Sequence, residues 1–496
     1  MIISKFINQI NKDFGLNLSA SYYSHIEAWK VWYENYVGDF HTYSEMALDG
    51  ARHKRTMYRL SMAKTVCEDW AALLLNDKTT VNTDHKTTRE WLLGNAAGTS
   101  GILQQLDFWN QSNQLVELMM RSGTAAWVVS CEDMQVRNGH VLPSPNARIA
   151  VDYLPAECIL PITRKHGKIV ECAFASEVYY KGKACIYLQI HTIETGGYRI
   201  ENYYYTSSSD TADDAAYERI DLPAGIAPVV HTGCPVPWFS IITPNAVNNV
   251  KNAPRNGLGA SVYSNALDSL KMADIAYNNY VRDLRLGGKK LFYNKKLVRT
   301  YVDAEGVQHK IAPDDVQQQL FWTDGTSDPD QKAEVYDYNP SLRTNENHQA
   351  VQDSLDYLSM KCGLGGHFYV FEHDGISTAT QYIGDKKTLV NNINRHQITV
   401  EAGLIQVVRA ILWIGRHILG YTLIDPDTPI SISWDASYIT DEQAEREQMR
   451  KDVSMHILPA YKYISKYYEV SEDEARALTT EAEEDIPQLD VTRGIN

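Results

Sequence analysis

The apolar positions of this 496-residue chain change period several times, and each change marks a new element. Residues 54–76 place Met57, Leu60, Ala63, Cys67, Trp70 and Leu74 three and four apart, which predicts a one-sided helix. A second helix is predicted over Ile102–Ser122. From Trp127 to Thr206 the pattern shortens to β-rich runs such as AWVVSC, KIVECAFA and ACIYLQIHTI, with Gly196-Gly197 at a hairpin turn. This stretch predicts an antiparallel meander, and the small polar run 207–216 after it a mobile surface loop.

Residues 258–286 read as one long helix, with Leu258, Val262, Ala266, Leu270, Ala273, Tyr277, Val281 and Leu284 on one stripe and Gly287-Gly288 at its end. A mixed segment runs to about Pro340. The next helix carries His348, Val351, Leu355, Leu358 and Cys362 on one face, and Gly363 stops it. The run GLGGHFYVFEHDG at 363–375 has no helical period and predicts a loop. The longest helix follows, keeping its period from Ile383 through Val390, Ile393, Val400, Leu404, Val407, Ile411 and Ile414 to Ile418. Over 379–419 it would reach roughly 60 Å, with Gly403 and Gly415 as candidate points of bending. ISISWDAS alternates like a strand, and 440–480 returns to helix. Two medium helices that flank an excursion and lie antiparallel at its base, then a glycine loop, then a very long helix: this order predicts a mostly helical α+β fold.

Composition narrows the function. Apolar content of 44% and charged content of 22% are those of an ordinary folded chain. The 31 tyrosines suit the half-buried surfaces of an assembly subunit. A formal charge of −15 is unlike a protein that grips DNA along its whole surface. Seven cysteines without a C-x-x-C pair argue against a disulfide framework or a zinc site. The first residues, MIISKFINQINKDFG, hold no signal-peptide core, and the apolar stretch 404–424 is broken by Arg409, Arg416 and His417. A chain that is neither exported nor membrane-spanning is expected.

Catalytic signatures are absent: there is no P-loop, H-E-x-x-H or G-x-S-x-G motif. Gly257-Leu-Gly259 lacks the third glycine of a nucleotide fingerprint and reads as a helix entry. His367 and His373, with Glu372 or Asp374, could ligate a metal, but exposed loop histidines are the simpler account. No catalytic residue, cofactor or metal is expected. One charge cluster stands out in the acidic chain: Arg282, Arg285, Lys289, Lys290, Lys295, Lys296 and Arg299, opposed only by Asp283. It is either a solvated surface or a contact for phosphate or an acidic partner. The C-terminal stretch 441–490 is the reverse, with 14 acidic residues against 6 basic.

Five stretches, taken in order, resemble the portal (head-to-tail connector) proteins of tailed bacteriophages with long non-contractile tails. They are MAKTVCEDWAALLLND at 62–77, WFSIITPNAVNN at 238–249, NGLGASVYSNALDSLKMADIAYNNYVRDLRLGGKKLFY at 256–293, GISTATQYIGDKKTLVNNINRHQITVEAGL at 375–404 and ISISWDASYITDEQAEREQMRKDV at 430–453. The resemblance implies a homo-oligomeric ring, usually twelve subunits, at one capsid vertex, assembled in the host cytoplasm. It divides the chain into an N-terminal wing (1–257, with the meander 127–206), a first stem helix (258–286), a clip (287–341), a second stem helix (342–362), a tunnel loop (363–378), a long wing helix with a strand (379–435), and a crown with a C-terminal tail (436–496). Double-stranded DNA would pass the loop residues Gly363, Gly365, Gly366, His367, Phe368, Tyr369, Phe371, Glu372 and His373 during packaging and ejection, with the glycines letting the aromatic side chains shift. Large terminase, head-tail adaptor, scaffold and major capsid protein are the implied partners, and the basic cluster falls at the stem–clip junction. Another structural virion protein, a minor head or head-tail adaptor protein, is the alternative; an unrecognised hydrolase is a third reading, for which no nucleophile and base can be named.

Overall fold

The structure, a computed structural model, describes residues 3–46, 52–76, 78–95, 98–207, 217–250, 257–288, 290–294, 299–311, 320–323, 335–370, 379–434, 442–455, 457–468 and 470–484. The chain divides into two compact units, Met1–Ser433 and Trp434–Asn496.

The first unit opens with α1 (Ile3–Phe14), which buries Phe6, Ile7 and Ile10, and α2 (Tyr23–Tyr33), which buries Tyr23, Ile26, Trp29 and Trp32. A short α3 (Gly38–His41) leads into an antiparallel ribbon of β1 (Thr42–Met46) and β2 (Arg52–Thr56). The helix predicted from residue 54 therefore starts later, as α4 (Met62–Leu74). The residues before it are held extended: β2 pairs with β1, and the Tyr58 and Leu60 amides donate to Asn278 (3.1 Å) and Asp274 (2.7 Å). These side-chain acceptors satisfy donors that a helix would have used internally. After β3 (Thr80–Asn82) and α5 (Lys86–Leu93), the predicted helix 102–122 proves to be two, α6 (Ile102–Gln105) and α7 (Phe108–Ser122). The break is at Asp107, whose φ is +49°.

The predicted meander divides between two sheets. β4 (Ala125–Glu132) is buried along nearly its whole length, as a strand covered on both faces must be. The small pair β5 (Gln135–Arg137) and β6 (His140–Leu142) precedes β7 (Arg148–Pro155), which pairs with β4. Then β8 (Ile159–Lys165), β9 (Lys168–Tyr180), β10 (Lys183–Glu194) and β11 (Gly197–Ser207) form a true antiparallel meander. β12 (Tyr217–Ile220) and β13 (Val229–His231) join β11, and β14 (Phe239–Ile242) returns to the other edge of β4. The loop predicted at 207–216 lies, from residue 208, outside the described residues. In the larger sheet His191 is buried between the edges of Phe174 and Phe239, and burial lowers its pKa to about 3.

The helix predicted from residue 258 begins nine residues later, as α8 (Leu267–Leu286). Tertiary contacts overrule the periodic stripe. Gly259 N–H donates to Thr124 Oγ1 (3.0 Å), its carbonyl accepts from Tyr22, and Val262 N–H reaches the Met120 carbonyl (2.9 Å). Gly123, at φ +76°, stands so close to Gly259 that a Cβ on either would come within about 2.5 Å of the other's backbone. Beyond α8, β15 (Lys290–Asn294), β16 (Arg299–Val302), β17 (Gln308–Ile311), β18 (Leu320–Thr323) and β19 (Val335–Tyr338) make a three-stranded sheet and a hairpin. The chain returns in α9 (Thr344–Lys361), antiparallel to α8: Asp283 near the end of α8 accepts from Arg343 and Asn347 at the start of α9.

α10 (Ala379–His417) has 39 residues. Its segment from Lys387 to His417 is long and apolar enough to cross a membrane, yet Ile393, Val400, Leu404, Val407, Val408 and Ile411 are buried against β4, β14 and α4. Gly403 and Gly415 are points of close packing. A Cβ at 403 would lie 2.4 Å from Ile242 and 3.0 Å from Trp127, and one at 415 would meet the Trp91 ring at 2.6 Å. Ser240 Oγ donates to the Gly403 carbonyl (2.9 Å). Of the run ISISWDAS only β20 (Ser431–Ser433) is strand, pairing with β3, and 435–441 lie outside the described residues. The second unit holds α11 (Glu442–Ser454), α12 (Ala460–Tyr468) and α13 (Glu472–Glu484), joined by Arg446 donating to Tyr463 (3.1 Å) and by Arg476 over the Tyr461 ring (4.5 Å).

Gly→Ala inside a helix normally stabilises by about 1 kcal/mol. Gly403→Ala should do the opposite, costing about 1–3 kcal/mol through overpacking against Ile242 and Trp127. A thermal melt showing a raised midpoint would refute the close packing.

Candidate functional site

The segment that follows α9 starts with two glycine turns. Gly363 has φ +82° and Gly365 φ +95°, values that glycine adopts at little cost. His367 also stands at φ +55°. Around Gly363 three elements converge. The Trp70 indole of α4 donates to the Cys362 carbonyl (3.1 Å), Asn392 of α10 donates to the Gly363 carbonyl (2.8 Å), and Leu364 N–H bonds back to Ser359 of α9 (2.9 Å). Leu364 is buried, and Trp70 is wholly so. The first glycine is thus a fixed corner, whereas Gly366 is exposed with open space where a Cβ would stand.

The loop is pinned a second time at Tyr369. Its hydroxyl donates to Asp69 of α4 (2.6 Å), and its carbonyl accepts from Gln352 of α9 (2.7 Å). Gln352 also donates to Asp356 (3.0 Å), and Asp356 pairs with His367 (2.8 Å). Burial raises the Asp69 pKa above the ordinary carboxylate value, against the lowering effect of the phenol's hydrogen bond. Burial, then the bond to Asp69, raises Tyr369 far above the usual phenol range. Below the corner, His396 meets the Trp70 ring edge-on at 4.9 Å and accepts from Asn245 N–H (3.0 Å). Burial first, and Arg395 second, lower its pKa to about 4. The Cys362 thiol is raised to about 12 by burial and is no nucleophile.

Of the loop residues singled out in the sequence, Gly363, His367 and Tyr369 are held by α4, α9 and α10, and Gly365 is buried. Phe368 is half-buried with its ring edge-on to Tyr369 at 4.9 Å, and Gly366 and His367 are exposed. Phe371, Glu372 and His373 lie outside the described residues. The sequence reading missed Asp69, Trp70, Gln352 and Asn392 as supports. Trp70 was visible as a core position, but nothing local marks Asp69, 300 positions away, or Gln352, 17 positions away, as partners of Tyr369.

The basic cluster is divided. Arg282 donates to Glu45 (2.7 Å) and to the Tyr43 hydroxyl (3.0 Å), so its charge is met by an acid the local sequence did not show. Arg285 donates to the Tyr58 hydroxyl and lies over that ring at 5.7 Å. Lys290 and Arg299 are placed on β15 and β16, and Lys289, Lys295 and Lys296 lie outside the described residues. In Gly257-Leu-Gly259, Gly259 is spent on the contact with Gly123 and Thr124, and the Leu258 carbonyl accepts from Asn248 (3.0 Å).

A family model described as phage portal protein, SPP1 Gp6-like, matches residues 16–488. The chain belongs to that family. Portal proteins are structural and not enzymatic, and the family implies a multimeric ring at the neck of a virion. No curated protein matches the sequence. Among solved structures, the neck of a native GTA particle computed with C12 symmetry matches at 12% identity with a TM-score of 0.33, covering 82% of this chain and 91% of that one.

Removing the Tyr369 hydroxyl leaves a half-buried carboxylate without its donor. Tyr369→Phe should cost about 1–3 kcal/mol and speed amide exchange across 363–370; unchanged exchange would show that the bond anchors nothing. His396 and His191 bind protons less readily folded than unfolded, so stability should fall as pH drops from about 6.5 toward about 4. Each contributes on the order of 3 kcal/mol over that span. His396→Asn, which keeps an acceptor for Asn245, should flatten part of the slope in denaturant titrations.

Proposed function

We propose that the chain forms the ring through which double-stranded DNA enters and leaves the capsid of a phage with a long non-contractile tail. The observation that carries this reading is the family match over 16–488. The order of elements supports it. Residues 258–286 and 342–362 serve as the stem around a clip at 287–341, residues 1–257 and 379–435 as the wing, and 436–496 as the crown and tail. Twelve subunits is the ring number the family resemblance carries. The ring docks the large terminase on one side and the head-tail adaptor afterwards, and assembles in the host cytoplasm with scaffold and major capsid protein.

In this reading the work is physical: the terminase spends ATP, and the portal supplies a bore that does not hold the DNA. The loop 363–378 faces that bore. Its corner at Gly363 and its latch at Tyr369 are fixed to α4, α9 and α10, so among the described residues displacement by passing DNA falls on Gly366. The acidic 441–490 stretch repels phosphate at the capsid side. Of the basic cluster, Arg282 holds the β1–β2 ribbon and Arg285 bonds Tyr58 beyond it, while Lys289, Lys290, Lys295 and Lys296 contact DNA or terminase.

Electron microscopy and native mass measurement of the purified protein should show closed rings with a central hole; a monomer or dimer at micromolar concentration would sink the reading. With Lys289, Lys290, Lys295 and Lys296 changed together to Glu, rings should persist while packaging or terminase binding falls severalfold. Packaging at the original level would remove the cluster from the account.

A further inference from the structure

A pocket of about 180 Å³ opens behind the glycine corner, between the segments 244–249 and 260–265, the end of α9 and one face of α10. Asn392, Arg395 and His396 stand at i, i+3 and i+4 on α10 and so share that face. Lys361, the last residue of α9, lines the pocket from the other helix. The charges here are of one sign. Among the described residues no Asp or Glu lines the pocket, and neither Lys361 nor Arg395 pairs with a carboxylate. Elsewhere in the unit such cations are met: Arg121 by Glu157, Arg282 by Glu45 and Arg343 by Asp283.

The uncharged groups add donors. Asn249 and Asn265 each donate to the other's side-chain carbonyl (3.0 and 3.2 Å), so both acceptors are engaged and each amide keeps a second N–H. His396 Nδ1 accepts from the Asn245 N–H, so the proton of the neutral ring is on Nε2. The corner carbonyls, which would repel an anion, are already occupied. Met360 accepts from the Gly363 N–H (3.2 Å), Cys362 from Trp70, and Gly363 from Asn392. What remains is a recess of N–H groups with two positive charges.

We propose that this pocket binds one phosphate-class oxyanion from solution, which bridges Lys361 of α9 to Arg395 of α10 and braces the corner from which the loop leaves. The inference holds whether or not the chain forms a ring. Charge fits: a phosphate group carries about −1.5 to −2 at pH 7, which matches the two cations. Size fits as well, since drug-sized ligands need roughly 300 Å³ or more and this recess suits a single small group. The two cations are complementary in kind. A guanidinium presents paired N–H groups to phosphate oxygens, and an ammonium on a flexible stem supplies a point charge that can follow. The phosphates of duplex DNA project from a convex rod, whereas these donors line a recess, so the occupant is a free ion.

The test is calorimetric titration of the full chain with inorganic phosphate, at fixed low chloride and near-neutral pH. It should show one site per chain, saturating by about 1 mM. Lys361→Gln and Arg395→Gln should each weaken binding at least about tenfold, because each removes a charge-assisted bond. Lys361→Arg, which keeps the charge, should retain binding. Both positions are exposed, and circular dichroism of each variant checks that it folds. Bound phosphate should also slow amide exchange at 360–364 and 392–396. No saturable binding, or binding that survives both Gln changes, would overturn the proposal. A short DNA duplex that binds where free phosphate does not would equally sink it. So would rings that need Arg395 in a chain that takes up no phosphate, the mark of a carboxylate from a neighbouring copy.

Discussion

One hydrogen bond ties the first unit together where it matters most. The Trp70 indole, fully buried, donates to the carbonyl of Cys362, the last residue before the glycine corner. A buried carbonyl without a donor is costly, and a buried indole N–H equally so, so each fixes the other. Through this contact α4 holds the end of α9, and the same ring receives the edge of His396 from α10. Three helices far apart in sequence are thereby referred to a single point, and the loop that leaves that point inherits its position from all three.

The long helix depends on a different constraint, the absence of side chains. α10 comes close to β4 and β14 because Gly403 allows it, and Ser240 then bonds to the carbonyl thus brought within reach. Helix interiors usually avoid glycine because of its backbone entropy. Here the cost is offset by the packing of Ile242 and Trp127 directly on the helix backbone, which a Cβ would prevent. The same logic repeats at Gly415 beneath Trp91.

Much of this was legible in the sequence, and the failures share a cause. Periodicity located α9 and α10 to within a few residues, because in those segments local pattern and burial agree. It overextended α4 and α8 at their starts, where apolar spacing continues but the backbone amides are claimed by distant acceptors: Asn278 and Asp274 for residues 58 and 60, Met120 for residue 262. In the long helix, the sequence shows that Gly403 and Gly415 lack side chains but not that Ile242, Trp127 and Trp91 fill their places. In the loop, the glycine corner was visible, but Tyr369 was read as a free aromatic side chain. Its partner Asp69 sits 300 positions earlier on the polar side of a helix chosen for its apolar stripe. The charge cluster was likewise read without Glu45, 237 positions before Arg282.

The meeting of Gly123 with Gly259 acts as a phase setting for everything that follows it. Residues 257–266 are clasped to the end of α7, so α8 cannot choose its own first turn; it begins where the clasp releases it. Each residue moved across that clasp would advance the helix by about 1.5 Å and turn it by about 100°. A single insertion would swing Asp274 and Asn278 away from the Leu60 and Tyr58 amides they accept from and point a different stripe outward. Two residues with no side chains thus determine the compass bearing of a 20-residue helix.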